Sequence, residues 1–396
     1  MQHTPRSRVG LLAALAAPLL SVLLFHPTAS QTRPAPAEPA LRVTLAAVGD
    51  VMMHLPIVAS ACDPETQGYD FSPMLAPVAP YFRADYTLAN LETRLAVPSE
   101  KGYTGYPRFN SPPELAAALA GLGINLLATA NNHALDMGWD GIGQTLDTLD
   151  QHGLAHVGTY RSADERATPF LEDVRGIRIA VLNYTETTNG IRLPKGKEFA
   201  VNLLSPEAVA ADAKAARGAG ADLVVAVLHW GTEYQRAPGA KQREVAKKLL
   251  SHGVDVIIGS HPHVVQPIEK LKVTRDGAPY EGYVAYSLGN FLSNQRSRYR
   301  DCGLVLYLEI EKTETTTVVR RVHYLPVMVQ RRKTDDRFAF RVLPASPTLP
   351  AGSDLPLTKE EEARRQQVWQ EMTTQLTRPA ADIAPLEAPP ATELGY

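Results

Sequence analysis

Five polar clusters, each directly following a short apolar run, carry the chemistry open to this chain. They are Asp50 after residues 43–49, Asn90-Leu91-Glu92 after 86–89, Asn131-Asn132-His133 after 126–130, His229 after 223–228, and His261-Pro262-His263 after 256–260. Carboxylate, carboxamide oxygen and imidazole are the donors that divalent metals of intermediate hardness accept. Open α/β sheets bind ligands beyond the carboxyl ends of their strands. Five such clusters therefore predict one assembled pocket.

Each residue also has a plainer reading. Asp50 either ligates a metal or caps the next helix. His54, four residues on, either turns back beside Asp50 as a further ligand or sits at a helix start on the surface. Asn90 and Glu92 share a face on an extended backbone. Glu92 is the better donor, because a full charge between two cations lowers their repulsion; its alternative is a pair with Arg94. Asn131, Asn132 and His133 have little value in a core and are poor helix formers. That leaves Asn132 as a ligand through its oxygen, Asn131 as a substrate contact, and His133 as proton donor or phosphate contact. His229 reads as a core histidine or a ligand. In His261-Pro262-His263 the proline fixes the backbone between two histidines that can face one centre or two adjacent ones.

These residues need strand ends to hold them. Val, Ile and Leu-rich runs at 43–48, 126–130, 177–184, 223–228, 254–259 and 283–288 predict strands. Helices are predicted at 112–122, 141–153, 205–218 and 240–253, with Pro at a first turn and Gly at an end. Such alternation implies an α/β sandwich whose strands are buried on both faces. Two further strands, 304–311 and 317–326, read as a hairpin closing the sheet. The core domain spans residues 41–342. Residues 343–396 then supply an amphipathic helix over 358–376 and a Pro/Ala-rich tail expected to be disordered.

At 396 residues, with 44% hydrophobic and 21% charged side chains, the chain can build a sizeable core. A net charge of −2 argues against a nucleic-acid partner. Arg6 and Arg8 precede the uncharged, largely apolar run 9–25, so residues 1–30 read as a signal peptide or an N-terminal anchor. Either places the rest outside the cytoplasm. Residues 31–40, rich in Pro and Ala, read as a linker. Cys62 and Cys302 are either a disulfide pair or two small buried apolar residues.

The motifs Val48-Gly49-Asp50-Val51-Met52, Asn90-Leu91-Glu92-Thr93, Asn131-Asn132-His133, Leu228-His229-Trp230-Gly231, Gly259-Ser260-His261-Pro262-His263 and Tyr286-Ser287-Leu288-Gly289-Asn290-Phe291 resemble, in order, those of the CapA family of capsule and poly-γ-glutamate synthesis. That family in turn resembles the calcineurin-like metallophosphoesterases. The resemblance implies an αββα sandwich of mixed sheets with metal-site loops after the strands. It implies Asp50, Asn132, His229, His261 and His263 as ligands, joined by Glu92, and His133 as the catalytic histidine. The chain departs from the metallophosphoesterase pattern where Met52 replaces the histidine of Asp-x-His, and where Asn90 and Glu92 replace a bridging aspartate. One or two cations are therefore expected. Mixed nitrogen and oxygen donors favour Mn, Fe or Zn over Mg.

Two functions follow. One is an exported metal-dependent hydrolase acting on a phosphoester or amide of a surface polymer. The other is a non-catalytic accessory protein that binds or hands over an anionic polymer, such as poly-γ-glutamate, in a membrane synthesis complex. Arg161, Tyr184 and Arg236, together with Tyr103, Tyr106 and Asn189, stand in or beside loops near the motif strands and are candidates for lining an anionic chain.

Overall fold

The computed structural model describes residues 40–334, 337–352, 356–376 and 382–389. The leader or anchor and all of the linker except residue 40 lie outside the described residues. The strands are β1 (Leu41–Val51), β2 (Tyr86–Leu91), β3 (Leu126–Ala128), β4 (Ala155–Val157), β5 (Leu171–Val174), β6 (Ile177–Thr185), β7 (Leu223–His229), β8 (Val256–Ser260), β9 (Ile268–Arg275), β10 (Ala278–Ala285), β11 (Asn290–Leu292), β12 (Cys302–Lys312), β13 (Thr317–Lys333), β14 (Phe338–Pro344) and β15 (Ile383–Pro385). The helices are α1 (Leu55–Ala61), α2 (Ser72–Leu75), α3 (Glu114–Leu122), α4 (Gly138–Gln151), α5 (Ala163–Ala167), α6 (Pro206–Gly218), α7 (Ala240–Ser251) and α8 (Lys359–Leu376).

One mixed sheet runs β14-β13-β12-β1-β2-β3-β4, with β11 beside β1 and β15 beside β13; the other runs β5-β6-β7-β8-β10-β9. Strand period places alternate side chains on opposite faces. In β1, Leu45 and Ala47 enter the core between the sheets, while Ala46 and Val48 enter the core under α1 to α4. In β7, Val225 and Val227 face the same inter-sheet core, and Val224, Ala226 and Leu228 face α6 and α7. Both faces of both sheets are thus covered, which is why these strands read as unbroken apolar runs. The result is the expected αββα sandwich. Within it β1, β2 and β3 run parallel, as do β6, β7 and β8, so each set delivers its strand ends to one edge.

Local signals set the helix ends. Ser205 accepts the N–H of Ala208 at the start of α6, with Pro206 at its first position. Gly123 closes α3 in the left-handed conformation at φ 99°.

Several expectations change. The domain does not end at 342: β14 runs to Pro344, and Val368, Met372 and Leu376, one turn apart on α8, join the inter-sheet core. The tail is not disordered throughout, because β15 pairs in parallel with β13. Strand β9 mixes charged and apolar residues along the edge of its sheet and pairs antiparallel with β10. Cys62 and Cys302 are both free thiols, the latter buried in β12.

Candidate metal centre

All five polar clusters meet at the edge where the two parallel strand sets end. Asp50 lies near the end of β1, Asn90 and Glu92 at the end of β2, and Asn131 to His133 just after β3. From the other sheet come His229, the last residue of β7, and His261 and His263 just after β8. The backbone is forced close here. A Cβ at Gly49 would stand 1.9 Å from the Gly289 carbonyl oxygen, and one at Gly259 1.9 Å from that of Tyr286, so only glycine fits before these motifs. His261 and His263 hold left-handed φ angles of 96° and 57°. That conformation is unfavourable for L side chains and tends to persist at functional sites.

Two groups of potential ligand atoms, each within 4.8 Å of one another, are Asp50, Glu92 and His229, and Glu92, His261 and His263. Glu92 belongs to both. Its Oε1 lies 3.6 Å from His229 Nε2 and 3.8 Å from His263 Nε2. Asn132 Oδ1 approaches His229 Nε2 at 2.9 Å, and His261 Nδ1 approaches the same nitrogen at 3.1 Å. On the other side His263 Nδ1 lies 2.9 Å from Asp50 Oδ2 and 3.2 Å from Asn290 Oδ1. Asn90 Nδ2 donates to Asp50 Oδ1 at 2.8 Å, and Asn131 Nδ2 donates to the Leu91 carbonyl at 2.7 Å.

The donor set fits a divalent cation. Asp50 and Glu92 are both 0% exposed, and Glu92 Oε1 has no hydrogen-bond partner. An unpaired buried carboxylate oxygen carries a large desolvation penalty unless a cation meets it. Arg94 does not pair with Glu92; its Nη2 donates to the Leu91 carbonyl at 2.9 Å, and Nε and Nη1 have no partner. Around His229 Nε2 the neighbouring atoms are lone-pair donors, more than one N–H can satisfy. Ligand atoms of a tetrahedral site with ~2.1 Å bonds stand roughly 3.4 Å apart, close to the separations found here. Burial, reinforced by Asp50, holds the Glu92 carboxyl well above the usual range. Burial, reinforced by His261, pushes the His229 imidazole well down, and burial with His263 lowers His261. Neutral imidazoles beside crowded carboxyls are what a cation would stabilise as ligands.

Beside this cluster His133 forms a dyad. Its Nδ1 lies 2.6 Å from Asp136 Oδ2, which also accepts the Phe109 N–H at 2.7 Å. The carboxylate fixes the ring and its tautomer, leaving Nε2 as the atom for proton exchange. His54 does not complete the missing Asp-x-His. Its ring packs edge-on against Phe109, its Nδ1 accepts the Asn294 N–H at 3.3 Å, and burial lowers it to about 4.

Residues 44–295 match the family model described as bacterial capsule synthesis protein PGA_cap. The chain belongs to that family. It is similar to the capsule biosynthesis protein CapA of Bacillus anthracis, 29% identical over 74% of this chain and 71% of the relative. It is also similar to the PGA biosynthesis protein CapA of Bacillus subtilis, 33% identical over 66% of each. Among solved structures it is similar to the calcineurin-like phosphoesterase YfkN of Bacillus subtilis, at 16% identity and a TM-score of 0.41, over 86% of this chain and all of that one.

In this PGA_cap member the predicted ligands and His133 come together, but three predicted polymer contacts do not join them. Arg161 is held by Asp147, Asp150 and Glu165. The Tyr184 hydroxyl donates to Asp212 of α6, on the outer face of its sheet. Arg236 stacks on Tyr299, 3.9 Å from the ring centroid, and reaches the α8 backbone at Glu371. Asn189 does reach the site, accepting from Asn132 Nδ2 at 3.2 Å. Asp136 went unpredicted; three residues after His133, in the turn before α4, its spacing is the only signal for it. Ser260, 2.9 Å from His229 Nδ1, and Asn290 orient two of the imidazoles.

Proposed function

We propose that this capsule synthesis protein is an extracytoplasmic metal-dependent hydrolase acting on a phosphoester or amide of a surface polymer. One observation supports the reading above others: Glu92, buried and with a free oxygen, is shared by two ligand groups flanked by the His133–Asp136 dyad. Asp50, Asn132, His229, His261, His263 and Glu92 would hold one or two Mn, Fe or Zn ions. Such an ion would supply Lewis acidity and lower the pKa of water toward ~7. The chain's own residues do the rest. Asp136 holds His133 with Nε2 available to give a proton to the leaving group. Asn132, bonded to Asn189, fixes its own oxygen toward His229, and Ser260 and Asn290 fix the imidazoles. The apolar stretch 9–25 behind Arg6 and Arg8 supports export. The capsule and PGA biosynthesis roles in the names of the Bacillus relatives support an anionic capsule polymer or its precursor as substrate.

A second reading, a polymer-handling accessory protein in a membrane complex, draws on His54. Because it is packed against Phe109, one ligand group is left with a single histidine.

The test is metal content by plasma mass spectrometry on the purified protein and the His261→Ala/His263→Ala variant, followed by turnover of a chromogenic phosphodiester. About one or two Mn, Fe or Zn per chain, lost in the variant together with turnover, is the expected result. A wild type that takes up no metal on reconstitution sinks the hydrolase reading.

A further inference from the structure

We propose that Arg300, stacked on Tyr234 at the rim of the metal centre, is the specificity residue that binds an acidic group of the substrate next to the bond attacked. The inference rests on the hydrolase reading for its location, but not for its test.

Four observations carry it. The Arg300 guanidinium carbon lies 3.3 Å from the centroid of the Tyr234 ring. That ring stands 6.1 Å from the ring of His263, and the Tyr234 N–H donates to the Pro262 carbonyl at 2.8 Å, within the His-Pro-His motif itself. The Arg300 backbone is fixed from the same centre: its carbonyl accepts Asn290 Nδ2 at 2.7 Å, and Asn290 Oδ1 lies 3.2 Å from His263 Nδ1. Among the described residues no carboxylate lies within ion-pair distance of the Arg300 guanidinium, whereas Arg298 and Arg364 nearby are both paired, with Glu371 and with Asp301.

A half-exposed arginine held flat on an aromatic ring keeps its N–H edge free and pre-oriented. That edge is the part that binds a carboxylate or phosphate in bidentate fashion. Tyr234 is itself kept at a left-handed φ of 67°, a conformation unfavourable for an aromatic residue unless its surroundings impose it. The Tyr234 ring sets the guanidinium on the His263 side of the centre, so an acidic chain would enter along that side. The chemistry selected is an oxyanion, either a carboxylate of a γ-linked glutamate chain or a phosphate.

The test is equilibrium binding by fluorescence anisotropy, using the full chain with its metal. The probes are a labelled γ-linked oligoglutamate, its fully amidated analogue and a labelled oligophosphate. Wild type is compared with Arg300→Gln, Arg300→Lys and the remote Arg83→Gln. Melting temperature and metal content verify that each variant is folded. The expected result is at least tenfold tighter binding of one anionic probe over the amidated analogue, that preference lost in Arg300→Gln, partly kept in Arg300→Lys, and unchanged in Arg83→Gln. Whichever anionic probe shows the loss identifies carboxylate or phosphate. Equal binding of charged and amidated chains, no binding of any probe by wild type, or an Arg300→Gln protein that retains the preference, overturns the proposal. Loss of the preference in a protein that turns over no phosphodiester upholds Arg300 and removes the hydrolase reading; turnover with an unaltered preference does the reverse.

Discussion

Two buried carboxylates, Asp255 and Glu92, stand at opposite strand ends and are treated in opposite ways. Asp255, just before β8, is 5% exposed and saturated. Its Oδ1 accepts from Arg275 Nη1 at 2.8 Å and from the Tyr280 hydroxyl at 2.6 Å, while Oδ2 takes the Val224 N–H at 2.7 Å and the Arg217 guanidinium. Glu92, just after β2, has another carboxylate for a neighbour and a free oxygen. A fold that satisfies one buried acid completely and leaves the other open has reserved the second for something it does not itself contain. Buried ionic groups that are structural come with their partners; those that bind a cation come with each other.

The comparison breaks most sharply under neutralisation of each acid. Glu92→Gln should weaken metal binding by more than about 100-fold, beyond the effect typical of residues behind a ligand. Its metal-free melting temperature should stay level or rise, because an uncompensated buried acid is gone. Asp255→Asn should do the converse: about 3–5 kcal/mol of stability lost as Arg217 and Arg275 lose their partner, with metal content intact. Metal titration and denaturant unfolding on both variants read this directly. If Glu92→Gln unfolds like Asp255→Asn, the acid is structural and the contrast fails.

A narrower effect, on turnover alone, is expected at Asp136. Asp136→Asn keeps the shape of the turn but stabilises the wrong tautomer of His133, so turnover should fall about 10²–10⁴-fold at unchanged metal occupancy. Turnover indifferent to this change, with metal still bound, would favour the accessory reading.

The parts of this site that were legible in the sequence are those whose position is set by strand ends. Asp50, Glu92, Asn132, His229, His261 and His263 each follow an apolar run, and parallel strands carry run ends to one edge whatever the intervening loops do. Arg161, Tyr184 and Arg236 were selected by loop proximity alone. Long polar side chains choose partners by local competition, and the nearby Asp147, Asp150 and Glu165 claim Arg161, as Asp212 claims Tyr184. Arg300 carries no signal in the sequence, for the converse reason. Its partner is an aromatic ring 66 residues away in sequence, brought near by the loop after β7 and the segment before β12. In the fold, the four layers followed from the two-sided burial of the strands. Edge strand β9 and the late strand β15 did not, since their side chains are half solvated and only pairing makes them strands.

The smallest effect, and the finest discriminator, is the pH dependence of the metal-free protein. His229, His261 and His54 are buried and held below their ordinary value of 6.5, His54 to about 4, so the unfolded chain binds more protons than the native one below that pH. Their contribution to stability is present above pH 6.5 and is lost as pH falls. Glu92 opposes them: its raised carboxyl keeps a proton above its ordinary 4.5 in the native state, so its contribution is present at low pH and is lost as pH rises. With His156, which burial also lowers, these histidines outnumber the one raised carboxyl, so the balance is toward lower stability in acid. Denaturant unfolding in chelator between pH 4.5 and 6.5 should therefore show stability rising with pH. Glu92→Gln should steepen that rise by removing the opposing group, whereas Asp255→Asn should lower the whole curve without steepening it. A flat wild-type profile would mean that the imidazoles find protons or partners in the native state, and the reserved site would then be one the protein closes on its own.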